Sequence, residues 1–281
     1  MRPGNLRNVM ESLMQRDGQT GALLASDEPP PVEIINPEAS APVVLVCDHA
    51  SRFIPRSLRS LGLSEFELAR HIAWDIGAAE VTRQLSGMLD APAVISNFSR
   101  LVVDPNRRPD HATSIPEVSD GVVVPGNRDL SESDRSARLA AFFHPYQDAI
   151  GKTLAERERT CGVKPVLISL HSFTPIMDGV ERPWKAGILW NDDPRLPRPL
   201  IDRLRATGIP VGDNEPYSGR EVFGYTTQTH AEARRLANVL IEIRQDLIDT
   251  HHGIAEWTKL LGPVLKEALK NPELYRERPP L

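Results

Sequence analysis

Two histidines in this chain stand directly behind short apolar runs. His49 follows Val43 to Val46 after Cys47 and Asp48, and His171 closes the run from Pro165 to Leu170. The run from Val43 to Val46 is unbroken and mostly β-branched, which suits a strand buried on both faces, and Pro165 to Leu170 reads as a second buried strand. If the two strands are parallel neighbours, both imidazoles reach the crevice past the carboxyl end of the sheet, where open α/β sheets take their ligands. Two histidines and one carboxylate, with a fourth position open to water, form a catalytic zinc arrangement. Asp75, ahead of the next helical stretch, is a candidate for the carboxylate. It is equally placed to cap that helix before Ile76. Asp48 points by alternation away from the side of His49 and suits a different task, orienting a ligating imidazole.

Glu242 interrupts an apolar run, Val239 to Ile243. A carboxylate inside a buried strand is costly unless it is paired or used. It suits a general base that takes a proton from water and returns it to a leaving amine. An ion pair with Arg244 on the same strand face is the alternative. Arg100 and the segment Asp104-Pro-Asn106-Arg107 make a dense polar cluster. An arginine fork holds a carboxylate with two hydrogen bonds or steadies an oxyanion, and Arg107 is read in that role; Arg108 is read as a solvated charge. His230, beyond a polar loop, is placed to contact substrate, and His71 to support Asp75. His111 falls in a long loop, His144, His251 and His252 read as structural or exposed, and Cys47 as core. No phosphate loop, dinucleotide fingerprint or Gly-x-Ser-x-Gly turn occurs.

The elements that must position these groups follow from pattern. Strands are expected over residues 43–46, 93–96, 100–103, 165–170, 186–190, 209–211 and 238–243. Helices are expected over 76–89, 131–159, 197–207, 230–236 and 254–269, with a short one at Ser64, whose Glu67 completes a capping box. A further short helix is expected around Leu6 to Gln15. Residues 104–127 and 212–228 read as loops, the first long enough to be a lid or binding loop. Strands alternating with helices indicate a mostly parallel sheet between helical layers. Prolines 29 to 31 mark residues 1–40 as a peripheral arm, leaving 41–281 as a single catalytic domain.

Composition narrows the function. With 40% hydrophobic and 25% charged residues, the chain reads as an ordinary soluble protein. Its net charge of −5 and lack of any basic block give no support to nucleic-acid or anionic-membrane binding. No stretch has the length of a spanning helix, and the first residues lack the apolar core of a secretory signal. With only two cysteines, a reduced cytoplasmic protein is expected.

Seven segments together resemble the N-formylglutamate amidohydrolase family: CDHASRFIP (47–55), HIAWDIGA (71–78), SRLVVDPNR (99–107), ISLHSFTP (168–175), DNEPYSG (213–219), GYTTQTHAE (224–232) and VLIEIRQDL (239–247). The resemblance implies an α/β fold of three layers, α/β/α, with a mostly parallel mixed sheet like that of the zinc carboxypeptidases (phosphorylase/hydrolase-like). It also implies zinc-assisted hydrolysis of a linear amide next to a carboxylate. The carboxypeptidase relatives place a glutamate three residues after the first histidine, where this chain has Arg52. Peptidoglycan amidases take that acid from the start of the next helix, the place of Asp75. The implied ligands of one Zn2+, or another divalent ion, are therefore His49, Asp75 and His171. Glu242 matches the catalytic glutamate and Arg107 the arginine that activates the scissile carbonyl. Arg100, Asn106, Tyr217, Tyr225, His230 and Arg244 would shape the substrate pocket. The expected substrate is a small acidic N-acyl amino acid such as N-formyl-L-glutamate. A carboxypeptidase- or peptidoglycan-type amidase, and a metal-free binding protein on the same scaffold, are the alternatives.

Overall fold

The apolar runs form strands whose faces are both covered. Every residue of β2 (Val43–Cys47) is buried, and so is every residue of β4 (Val166–Phe173). In the computed structural model, which describes residues 23–220 and 224–278, these strands lie at the centre of a mixed sheet. Its other strands are β1 (Val32–Ile35), β3 (Ala93–Ser96), β5 (Ala186–Leu189), β6 (Val211–Asp213) and β7 (Asn238–Arg244). The order is β1-β3-β2-β4-β7-β5-β6. The β2 pairs with β3 and β4, the β4 pair with β7 and the β5 pair with β6 are parallel; β1 with β3 and β5 with β7 are antiparallel.

Alternation along the central strands assigns the two helical layers. Val43 and Leu45 pack in one core with α1 (Ala78–Leu89), α3 (Pro197–Ala206) and α5 (His251–Ala268), through Val81, Leu200, Trp257 and Leu261. Val44 and Val46 face the opposite layer, where Tyr146, Ala149, Ile150 and Leu154 of α2 (His144–Cys161) cover them. Each fully buried Leu or Val side chain stabilises by about 1.5–3 kcal/mol, so this alternation fixes the strand register. The resulting three layers are those expected. Among the described residues, no helix is long and apolar enough to cross a membrane.

Four local expectations differ from the structure. Residues 100–103 form a turn instead of a strand. Leu101, Val102 and Val103 are buried in a separate apolar cluster with Phe98, Phe142 and Phe143, and that burial needs no ladder of hydrogen bonds. The helix expected over 230–236 begins earlier, as α4 (Tyr225–His230), because the Gln228 N–H donates to Gly224 O and starts a turn before it; a 3-10 turn, Glu232–Arg234, follows. Residues 32–35, expected within a peripheral arm, add the antiparallel edge strand β1. The loop over 104–127 contains a small hairpin, Val118–Ser119 with Val122–Val123. The helix expected around Leu6 to Gln15 lies outside the described residues. The Ser64–Glu67 capping box is present.

The turn into α1 couples fold to site. Asp75 N–H donates to His49 O at 2.8 Å, and Gly77 follows with φ +79°, a conformation that L side chains resist. A Cβ at Gly77 would stand 2.0 Å from Ile248 O. Alanine's advantage over glycine in a helix, about 1 kcal/mol, cannot offset a backbone clash and strain together. Gly77→Ala should therefore destabilise by roughly 2 kcal/mol or more, read as a lowered urea midpoint. A midpoint at or above wild type would show that the turn is not held in this conformation.

Candidate functional site

His49 lies two residues past β2, His171 lies within β4, and Asp75 precedes the turn into α1. The parallel pairing of β2 with β4 brings both imidazoles to one end of the sheet, with ring centroids 4.9 Å apart. Asp75 Oδ2 is 3.3 Å from His49 Nδ1 and 2.7 Å from His171 Nδ1. The capping alternative for Asp75 is not realised, since Gly77 is the N-cap of α1 and no side chain caps it. One ligand atom from each of His49, Asp75 and His171 falls within 4.8 Å of the others, and all three residues are buried.

The far nitrogen of each ring meets a second carboxylate. His171 Nε2 is 3.0 Å from Asp48 Oδ2, the orienting contact that alternation suggested. His49 Nε2 is 2.8 Å from Asp104 Oδ1. Held at Nε2, each ring turns Nδ1 toward Asp75, the arrangement in which an outer carboxylate fixes the tautomer of a ligating histidine. Asp48 is itself held by the hydroxyls of Tyr146 (2.9 Å) and Thr226 (2.7 Å). Burial alone would raise the Asp75 and Asp104 carboxyls, but the imidazoles, with Arg100 at Asp104, hold both below the usual carboxylate range. Burial likewise opposes charge on His171, yet hydrogen bonds to Asp48 and Asp75 push it well above the ordinary imidazole value. A pocket of buried carboxylates around two imidazoles is a cation-seeking site, and its His2Asp donor set fits zinc or a similar divalent ion.

Glu242 stands opposite His171 in the β4–β7 register and is 7% exposed. Its Oε2 is buried with no hydrogen-bond partner among the described residues. Burial, helped by the nearby Asp75 charge and opposed by His171, raises this carboxyl to about 7. Arg244 is not its partner: that guanidinium pairs with Asp246 at 2.8 Å and donates to Arg182 O at 3.2 Å.

Glu242 shares a cavity of about 680 Å3 with the His49, Asp75 and His171 side chains. Of the expected substrate-pocket residues, Arg100, Asn106 and Tyr217 line it, as does Arg107, expected to activate the carbonyl. Arg100 is already engaged, by Asp104 at 2.9 Å and Asp75 at 3.4 Å. Asn106 accepts from Thr226 N–H, and Arg107 donates to Asn106 O. Three residues are not among those lining the cavity. Tyr225 packs against Phe143, with ring centroids 5.5 Å apart. His230 lies 2.8 Å from Gln147 Oε1 on α2, and Arg244 is held as described. The role of Asp104 was missed, as were Trp190 and Arg220 in the cavity wall. Asp104 lies 55 positions from His49 behind a turn, so only the folded chain reveals their contact.

A mostly parallel α/β/α sheet with a polar crevice at the carboxyl ends of β2 and β4 defines an α/β protein with its ligand site at the strand ends. The chain belongs to the N-formylglutamate amidohydrolase family, a family of hydrolases, whose model matches residues 41–249. A gene product of Agrobacterium tumefaciens, known from its crystal structure, is 37% identical, with 89% of this chain and 99% of that one covered and a TM-score of 0.86. The crystal structure of an N-formylglutamate amidohydrolase from Ralstonia eutropha shares the fold at 18% identity, covering 86% and 99% of the two chains with a TM-score of 0.63. No curated protein matches the sequence significantly.

The placement of His230 yields a pH test. Burial lowers its imidazole to about 4, against an ordinary value near 6.5 in the unfolded chain. Between those values the unfolded state binds the extra proton. The stability that a neutral His230 supplies is therefore complete above pH 6.5 and is lost as pH falls toward 4, roughly 3 kcal/mol in all. His230→Gln should remove that part of the acid sensitivity, so the urea midpoint falls less between pH 7 and pH 4.5 than in wild type. Equal falls would contradict the buried, neutral imidazole.

Proposed function

We propose that this protein is a divalent-metal-dependent hydrolase of the linear amide in a small acidic N-acyl amino acid, of the N-formyl-L-glutamate kind. Its products are then formate and the free amino acid. One observation carries the reading: Glu242, a buried carboxylate with one oxygen unpartnered among the described residues, faces the same cavity as the His49, Asp75 and His171 cluster. A pure binding protein has no use for an orphan carboxylate beside a ready set of metal ligands.

His49 Nδ1, His171 Nδ1 and an oxygen of Asp75 would hold the ion, zinc being the expected one. When bound there it supplies Lewis acidity, polarising the carbonyl and making water easier to deprotonate. Asp48 and Asp104 keep the two rings turned for that task. Glu242 Oε2 takes the proton from the attacking water, holds it, and passes it to the departing amide nitrogen. A carboxyl raised by burial is suited to both halves of that transfer near neutral pH. Arg107, in the cavity wall, steadies the developing oxyanion or a substrate carboxylate. Arg100, tied to Asp75 and Asp104, balances charge around the ligands.

Metal content and formate release test the reading together. Wild type purified without chelators should carry about one zinc per chain and release formate from N-formyl-L-glutamate; His171→Ala should lose the metal. Zinc without formate would keep the hydrolase and reject this substrate, whereas no metal in wild type would reject the mechanism. Glu242→Gln should keep the metal while kcat drops by about 10²–10⁴-fold. Near-normal turnover in that variant would remove Glu242 from its role.

A further inference from the structure

Arg182 has no part in the scheme above, yet it grips a residue of the cavity wall. Tyr217 lines the same cavity as Glu242 and Asp75. Arg182 Nη1 donates to the Tyr217 hydroxyl oxygen at 3.0 Å, and its guanidinium carbon lies 4.8 Å from the ring centroid. That guanidinium also lies 5.9 Å from the ring centroid of Phe173, the last residue of β4, and donates to Thr174 O at 3.4 Å. Its backbone is fixed as well: Arg182 N–H donates to Pro175 O at 2.8 Å, and Arg182 O accepts from Arg244, itself paired with Asp246. The contacts run without a break from the end of β7 to the phenol.

A phenol offers one proton and accepts through its oxygen. Here the oxygen accepts from a cation, and among the described residues nothing accepts the Tyr217 proton in return. A positive donor at the oxygen makes the remaining O–H a stronger donor. The planar guanidinium both stacks and donates, which a lysine ammonium cannot do together.

We propose that Arg182 is a positioning residue that holds Tyr217 so that its hydroxyl donates to the oxyanion developing on the scissile carbonyl. This rests on the amide-hydrolysis reading. The phenolic proton stays on its oxygen throughout, so no bond to Tyr217 forms or breaks. Arg244, expected from the sequence to meet substrate, acts one step further back by fixing the Arg182 carbonyl.

A double-mutant cycle tests the proposal. Tyr217→Phe and Arg182→Met should each lower kcat on N-formyl-L-glutamate, by about 10–100-fold with KM little changed, since the lost interaction belongs to the transition state. The double variant should be no slower than Tyr217→Phe alone. Arg182→Lys should recover part of the loss. Multiplying losses, or an unchanged kcat in Arg182→Met, would overturn the proposal; urea midpoints of all variants exclude a folding defect. A second readout needs no turnover. The ultraviolet titration of the Tyr217 phenol, taken as wild type minus Tyr217→Phe, should move to higher pH in Arg182→Met. No movement would equally overturn the pairing. If wild type released no formate while the phenol moved, the substrate reading would fail and the Arg182–Tyr217 pair would stand.

Discussion

The site depends on keeping three buried carboxylates within reach of two buried imidazoles. Asp48, Asp75 and Asp104 are each 4% exposed or less, as are His49 and His171. Isolated charges at such depth would be far too costly. The arrangement holds because every carboxylate has several partners: Asp48 the hydroxyls of Tyr146, Ser169 and Thr226 and an imidazole, Asp75 two imidazoles, Arg100 and the Ser172 N–H, Asp104 one imidazole, Arg100 and the Asn106 N–H. Removing one partner from such a network typically costs 3–5 kcal/mol, because a buried charge is left uncompensated. The sheet register and the layers over it are thus constrained by the polar end of β2 and β4 as much as by the apolar middle. Tyr146 shows both constraints at once: its ring covers Val44 and Val46 while its hydroxyl holds Asp48.

The segment that carries Asp104 and Arg107 has its own anchor. Arg138 is buried with no carboxylate partner among the described residues, and burial lowers it to about 10. It donates to Val102 O, Gly126 O and Asn127 Oδ1, while Asn127 Nδ2 donates to Leu101 O and Pro116 O. Both ends of the long loop are pinned to one guanidinium, above an apolar cluster of Phe98, Leu101, Val103 and Phe142. The base of the loop, where Asp104 and Arg107 stand, is thereby fixed to the body of the protein. That rigidity matters because a histidine is oriented only as well as the carboxylate that holds it.

Much of this was legible in the sequence, for identifiable reasons. The central strands announced themselves by apolar runs, and alternation correctly sent Asp48 to the far side of β2. The strand pattern paired His49 with His171 at one sheet end, and the resemblance settled the choice of Asp75 between ligand and cap. The differences have separate physical causes. Residues 100–103 are as apolar as a strand but bury against Phe142 and Phe143, outside the ladder. Glu242 and Arg244 do share a strand face by alternation. Yet the long arginine side chain leaves the sheet end for Asp246 and the Arg182 carbonyl, so strand period alone misplaced it. His230 was read from its place beside a polar loop, whereas helix phase turns it to Gln147. Asp104 was invisible as a partner because its contact joins segments brought close only by tertiary packing.

Glu242 marks where stability and chemistry part. A buried acceptor without a partner costs about 1–3 kcal/mol, and Arg244, on the same strand face, is held elsewhere. Asp246 and the Arg182 carbonyl keep that arginine away, and the restraint has a chemical consequence. A guanidinium bound to Glu242 would pull its carboxyl far below neutrality and leave it a poor proton acceptor near pH 7. With no cation bound to it among the described residues, the carboxyl stays raised by its burial. The same arginine that is withheld from Glu242 fixes the strand leading to Arg182 and Tyr217. One side chain therefore keeps the proposed base basic and the far wall of the cavity in place, which is reason enough for its charge to be satisfied outside the pocket.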